Sequence, residues 1–147
     1  MKKIIIGLIG YNNCGRKTAS NIFKKYDFYS ININSKVEEI AKYLFNEDEL
    51  SSNKVQIVNE TRRRGSKVNP NYWINLSLIN VPCNKKYIVF EDLSIDELNN
   101  KSISAYQIYR PDVSLKKHDD IPTIVNDGSK VEFHTKIEEL LKKLNIK

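Results

Sequence analysis

Cysteine is scarce in this chain of 147 residues: Cys14 and Cys83 are its whole complement, with neither CxxC spacing nor paired histidines around them. A disulfide framework and a thiolate zinc site are therefore not expected, and a reducing compartment is the simpler reading. Long apolar runs are missing too. Ile4 to Ile9, behind two lysines, falls far short of the roughly 20 residues a membrane span needs and has no small-residue cleavage site. No membrane segment or secretory leader is expected, and the cytoplasm is the expected location. Linkers, repeats and low-complexity tracts are also lacking. One domain over residues 1–147 is predicted, long enough to bury roughly two-thirds of its unfolded surface in a single core without a metal staple.

Basic residues are in excess, 24 Lys and Arg against 18 Asp and Glu for a net charge of +6. That excess favours anionic partners (nucleotides, nucleic acid or an acidic surface) without choosing among them. The abundance of Asn, Lys and Ile is that of a low-GC coding bias, which inflates lysine for reasons unrelated to function.

Apolar periodicity orders the chain. Lys3 to Ile9 is isoleucine-rich and, after Lys3, free of polar side chains, the pattern of a strand buried on both faces of a parallel sheet. Ala19, Ile22, Phe23 and Tyr26 make a short amphipathic helix from Thr18, and Phe28 to Ile33 returns as a strand, completing a βαβ unit. Ser35 with Glu38 reads as a capping box for a helix whose stripe is Val37, Ile40, Ala41, Leu44 and Phe45. A polar stretch, Asn46 to Asn53, precedes a further helix from Lys54 to Arg64 with Val55 and Val58 inward. Asn69 and Pro70 are a cap and first-turn pair for a helix carrying Tyr72, Trp73 and Leu76. Tyr87 to Phe90 is a strand, and Ser94 with Glu97 opens a brief helix to Asn99. Ala105 to Arg110 and Thr123 to Val125 are the last strands, separated by an irregular loop from Pro111 to Pro122. Ser129 with Glu132 caps the final helix, with Ile137, Leu140, Leu141 and Leu144 as its stripe. Strands alternating with helices predict an α/β fold: a three-layer, doubly wound parallel sheet of about five strands.

The segment that carries chemistry is Gly10-Tyr-Asn-Asn-Cys-Gly15-Arg16-Lys17-Thr18, between the first strand and the first helix. Glycines at both ends let the backbone turn tightly and aim successive N–H groups at an anion, and the helix N-terminus adds partial positive charge. The standard phosphate loop places Lys and then Ser or Thr after its second glycine. Here Arg16 and Lys17 stand there, with Thr18 one residue later. A generic βα turn with solvent-facing basic residues is the plain alternative.

This loop resembles that of the deoxynucleoside monophosphate kinases of phages and viruses, a family of the P-loop kinase fold. The family's glycines and threonine fall on Gly10, Gly15 and Thr18, while Arg16 and Lys17 replace its lysine and aspartate. The resemblance continues thinly along the chain, through Phe28 to Lys36, Arg64-Gly65 to Trp73, Arg110-Pro111 and, most closely, Val125-Asn126-Asp127-Gly128-Ser129. It implies a single P-loop kinase-like domain with reduced acceptor-binding and lid regions, of viral or phage origin, acting with ATP and Mg2+ on a deoxynucleotide. It further implies that Gly10, Asn13, Gly15, Arg16, Lys17, Thr18, Arg110, Asn126 and Gly128 bind the nucleotide, with Arg16, Lys17 and Asp92 catalytic. Thr18 with Asp92 would hold the metal, and Lys36, Arg63, Arg64 and Trp73 the acceptor.

The family's arginine after the middle strand is replaced by Leu93, and its His-x-Ser-Glu pattern is missing from the loop around His118. A catalytically inactive descendant that binds a nucleotide or a protein partner is therefore the rival reading, and a nucleic-acid-binding module using the basic surface is a third. A homodimer is compatible with each. Several of these residues also have plain readings: Trp73 and Tyr72 as core, Lys36 and Arg62 to Arg64 as solvated helix faces, and Asn126 to Ser129 as a turn and cap.

Overall fold

In the computed structural model, which describes residues 2–97, 102–114 and 116–146, the apolar run at the N-terminus becomes the centre of a sheet. Strand β1 (Ile4–Ile9) is flanked on one side by β3 (Tyr87–Phe90) and β2 (Phe28–Ile31), and on the other by β4 (Ile103–Tyr109) and β5 (Thr123–Val125). The order is β2-β3-β1-β4-β5 and every pairing is parallel. A parallel sheet needs cover on both faces. Helices α1 (Arg16–Lys24) and α5 (Lys130–Lys143) cover one face, meeting Ile6, Leu8, Val89 and Ile108. Helices α2 (Ile33–Leu44), α3 (Glu47–Val68) and α4 (Tyr72–Ile79) cover the other, meeting Ile9, Ile31, Ile88 and Phe90. The result is the expected three-layer, doubly wound, P-loop-like α/β architecture.

Departures from the sequence reading have local physical causes. Helix α2 starts before Ser35 because Asn32, not Ser35, is its cap: the Asn32 side chain accepts the Ser35 N–H at 2.8 Å. Its first two N–H groups go to a carboxylate remote in sequence, Ile33 N to Asp92 Oδ1 at 2.7 Å and Asn34 N to Asp92 Oδ2 at 2.9 Å. Helix α3 begins at Glu47, within the stretch read only as polar and seven residues before the expected start at Lys54. Asn46 caps it by accepting the Glu49 N–H at 2.7 Å, and three acidic residues sit in the first turn, where the helix dipole favours them. A kink at Asn53 divides this helix, and of the two valines expected to face inward Val58 is buried while Val55 is 74% exposed. Asn69 closes α3 rather than opening α4, whose N-cap is Asn71. After β3 the chain makes a single 3-10 turn, Ile95–Glu97; the rest of the helix expected to reach Asn99 lies outside the described residues. Ser129 caps α5 as read, accepting the Glu132 N–H at 3.1 Å. Among the described residues no helix is long and apolar enough to cross a membrane.

Candidate functional site

In an open parallel sheet the crevice outside the carboxyl ends of the strands lies where the strand order reverses, here beside β1. All five strands deliver residues to it. The 10–18 segment leaves β1, Asn32 follows β2, Glu91 and Asp92 follow β3, Arg110 follows β4 and Asn126 follows β5. Together they border a cleft of about 1010 Å³.

The loop is built around close approaches. A Cβ at Gly10 would stand 2.5 Å from Cys14 Sγ and 2.9 Å from the Ile108 carbonyl, so only glycine lets the chain turn there. Gly15 has φ +113°, and Asn13 is also left-handed at φ +65°. The thiol of Cys14 is buried beneath the turn, and that burial raises its pKa, with Arg16 pulling the other way. Two side chains from neighbouring strand ends tie the loop down: Asn126 Nδ2 donates to the Cys14 carbonyl at 2.9 Å, and Arg110 Nη1 to the Asn13 carbonyl at 3.3 Å. Helix α1 opens at Gly15 without a side-chain cap, so its first-turn N–H groups lack an intrahelical acceptor at the mouth of the cleft. Arg16, Lys17 and Thr18 of that turn border the cleft, as do Asn13, Gly15, Asn126 and Gly128. Gly10 instead borders a second cavity.

On the far wall the two carboxylates differ. Glu91 is half-buried; its Oε1 accepts from Asn32 Nδ2 at 2.6 Å and its Oε2 from Ser30 Oγ at 3.2 Å. Asp92 is 8% exposed, and both of its oxygens are engaged by the α2 N–H groups, with Arg62 Nη1 3.3 Å from Oδ2. Burial raises the Asp92 pKa, opposed first by Arg62, then by the two N–H groups and by Arg16. Its carboxylate anchors α2 as much as it faces the cleft.

The residues expected to hold an acceptor do not converge on the site. Arg63 and Arg64 are exposed and pair with Glu60 of their own helix, at 2.6 Å and 3.1 Å. Trp73 is 2% exposed, packed in the core with its Nε1 donating to the Arg62 carbonyl at 2.8 Å, so its ring is not open for stacking. Lys36 pairs with Glu39 at 3.4 Å on α2. None of these four borders either cavity. The arginine turned inward is Arg62, 13% exposed. Its Nη1 also donates to Asn34 Oδ1 at 2.8 Å, and its Nη2 donates to the Asp92 carbonyl at 2.7 Å and to Glu97 Oε1 at 2.6 Å.

The second cavity, about 320 Å³, lies against the same loop, and Arg16 and Asp92 line both spaces. Sequence reasoning missed Glu91's neighbour Asn32, the inward turn of Arg62, and Gln107 and Lys116 on the second cavity, and it named His118 without giving it a role. Asn32 had a local signal, its position three residues before Ser35.

No protein-family model matches the chain, and no curated protein matches it.

Proposed function

We propose that the chain is a nucleotide kinase that holds ATP with its phosphates on the 10–18 loop and passes the terminal phosphoryl group to a deoxynucleoside monophosphate. The observation that carries the reading is the uncapped start of α1, with Arg16, Lys17 and Thr18 on a loop shaped by left-handed Asn13 and Gly15, at the carboxyl end of the central strand. Phosphoryl transfer asks a protein chiefly for positioning and charge stabilisation. Arg16 and Lys17 supply cations beside the phosphates, and Arg110, paired with Asp112 at 3.1 Å, lies across the loop. Asn126 and Gly128 form the wall that takes the base. The acceptor enters the second cavity, so that Arg16 faces donor and acceptor alike.

Among the cleft's hard oxygen donors, the Thr18 hydroxyl and the carboxylates of Glu91 and Asp92 suit Mg2+, which takes one or two carboxylates with water and phosphate oxygens. Glu91 is the more open of the two carboxylates. A bound Mg2+ would neutralise phosphate charge. A reducing cytoplasm, that of the host for a viral or phage protein, suits the exposed free thiol of Cys83.

One feature favours a second reading, nucleotide binding without turnover: Arg16 is a larger, planar cation than the lysine such loops carry.

The test is thermal stability of the purified chain with and without millimolar Mg-ATP, followed by a turnover assay with each deoxynucleoside monophosphate. Saturation at a hundred times the dissociation constant adds about 2.7 kcal/mol, or about 5–11 °C in a chain of this size. Arg16→Ala should abolish the shift. A shift without turnover selects the second reading, and no shift with any nucleotide sinks both.

A further inference from the structure

Gln107 projects from β4 at the position paired with Ile9 of β1 and is buried. A buried amide is costly unless bonded, and this one is bonded throughout. Its Nε2 donates to the carbonyl of His118, to the Ile121 carbonyl at 3.0 Å and to Thr123 Oγ1 at 2.7 Å, while its Oε1 accepts the His118 N–H at 2.9 Å. One side chain thus holds both backbone groups of His118, as a neighbouring strand would, in a segment that belongs to no strand. The effect is to fix the turn that brings Lys116 and His118 to the second cavity.

Charge in that cavity does not cancel. Arg62 is committed to Asn34, Asp92 and Glu97, and Asp92 to the α2 N–H groups and Arg62. Among the described residues that line it, Asp92 is the only carboxylate. Arg16 and Lys116 therefore face the space without a free counter-charge, with the His118 ring beside them as a further donor. The remaining wall is largely apolar, from Ile9, Leu93, Ile95 and Ile108. A cavity with a cationic side and an apolar side fits a small molecule that carries a compact anion on a flat or apolar body. A phosphate monoester, with three acceptor oxygens, matches three converging donor groups better than a carboxylate does.

We propose that Lys116 and His118, held by Gln107 as a positioning residue, bind the phosphate monoester of the ligand in the second cavity, in place of Arg63 and Arg64. The inference rests on reading that cavity as the acceptor side.

The experiment is calorimetric titration of the full chain with each of the four deoxynucleoside monophosphates, and separately with Mg-ATP. Lys116→Ala and His118→Ala should each weaken monophosphate binding about ten- to hundredfold, the loss of one charge-assisted hydrogen bond, and leave Mg-ATP binding within twofold. Arg63→Ala should change neither. Gln107→Met, folded by the criterion of Trp73 fluorescence, should weaken the monophosphate alone and add little once Lys116→Ala and His118→Ala are both present, because it acts through them. Should Gln107→Met fail to fold, the two cavity variants carry the test. Monophosphate binding unchanged in Lys116→Ala and His118→Ala overturns the proposal and leaves the kinase reading intact. Mg-ATP binding without binding of any monophosphate overturns the proposal and removes the acceptor from the kinase reading. Monophosphate binding that depends on Lys116, with no Mg-ATP binding, supports the site and defeats the kinase.

Discussion

Arg62→Ala tests whether the buried ion cluster behind the cleft holds the fold together. The guanidinium, 13% exposed, lies between Asp92 at 3.3 Å and Glu97 at 2.6 Å, and Glu97 is fully buried. Removing the cation leaves Asp92 with the N–H groups of Ile33 and Asn34, and Glu97 with that of Ser94 at 2.8 Å. Breaking a buried pair from one side typically costs about 3–5 kcal/mol, because a charge is stranded. At about 2–4 °C per kcal/mol for this size, the melting temperature should fall by about 6–20 °C. The loss should also depend on pH. Burial already raises the Asp92 pKa in the folded state, and Arg62 is the strongest influence opposing that rise, so its removal raises the pKa further. A carboxyl whose folded pKa exceeds its unfolded value contributes most below the unfolded pKa and loses that contribution as pH rises through the folded one. The penalty should therefore be larger at pH 7 than at pH 4. Urea unfolding followed by the single tryptophan, at both pH values, measures it. A loss under about 1 kcal/mol at pH 7, within the range of an ordinary hydrogen bond, or a larger loss at acid pH, would refute the reasoning.

Gly15→Ala forces a Cβ to within 2.6 Å of Asn126 Nδ2 at φ +113°. Left-handed backbone costs about 1–2 kcal/mol for an L-residue and the lost tie to Cys14 about 1 more, so thermal melting should fall by about 4–12 °C, with Mg-ATP binding lost. Thiol titration should find two classes: exposed Cys83 reacting at once, and Cys14, buried and with its pKa raised, reacting only on unfolding or far more slowly. Equal rates would contradict the loop geometry. The Glu60 carboxyl, hydrogen-bonded first to Arg63 and then to Arg64, is held down to about 2. Its contribution is present above the unfolded pKa and fades as pH falls toward 2, which carboxyl NMR titration reads directly. Because the group is solvent-exposed, added salt should move its pKa back toward normal.

Much of the architecture was legible because its signals are local. β3 and β5 fell at their expected bounds, β1 within one residue, and the glycine-spaced loop stood between strand and helix as read. The Ser129 cap was legible too, since its partner is three residues away. The start of α2 was legible only in part: its Asn32 cap also has a partner three residues away, but its first two N–H donors go to Asp92, some sixty residues on. The site residues divide the same way. Gly10, Gly15 and Thr18 follow from the turn chemistry of one segment, whereas the bonds of Arg62 and Gln107 reach partners brought near only by the tertiary fold.

Three successive arginines show the boundary plainly. Composition and periodicity determined that residues 62–64 lie on a helix and carry positive charge, that β1 is buried, and that a tight glycine turn leads from it into α1. Which arginine faces inward is a question of helical phase, since each residue turns the side chain by about 100°. Only the packing of α3 against α2 and α4 set that phase, placing Arg62 on Asp92 and Glu97 and leaving Arg63 and Arg64 to Glu60 and solvent.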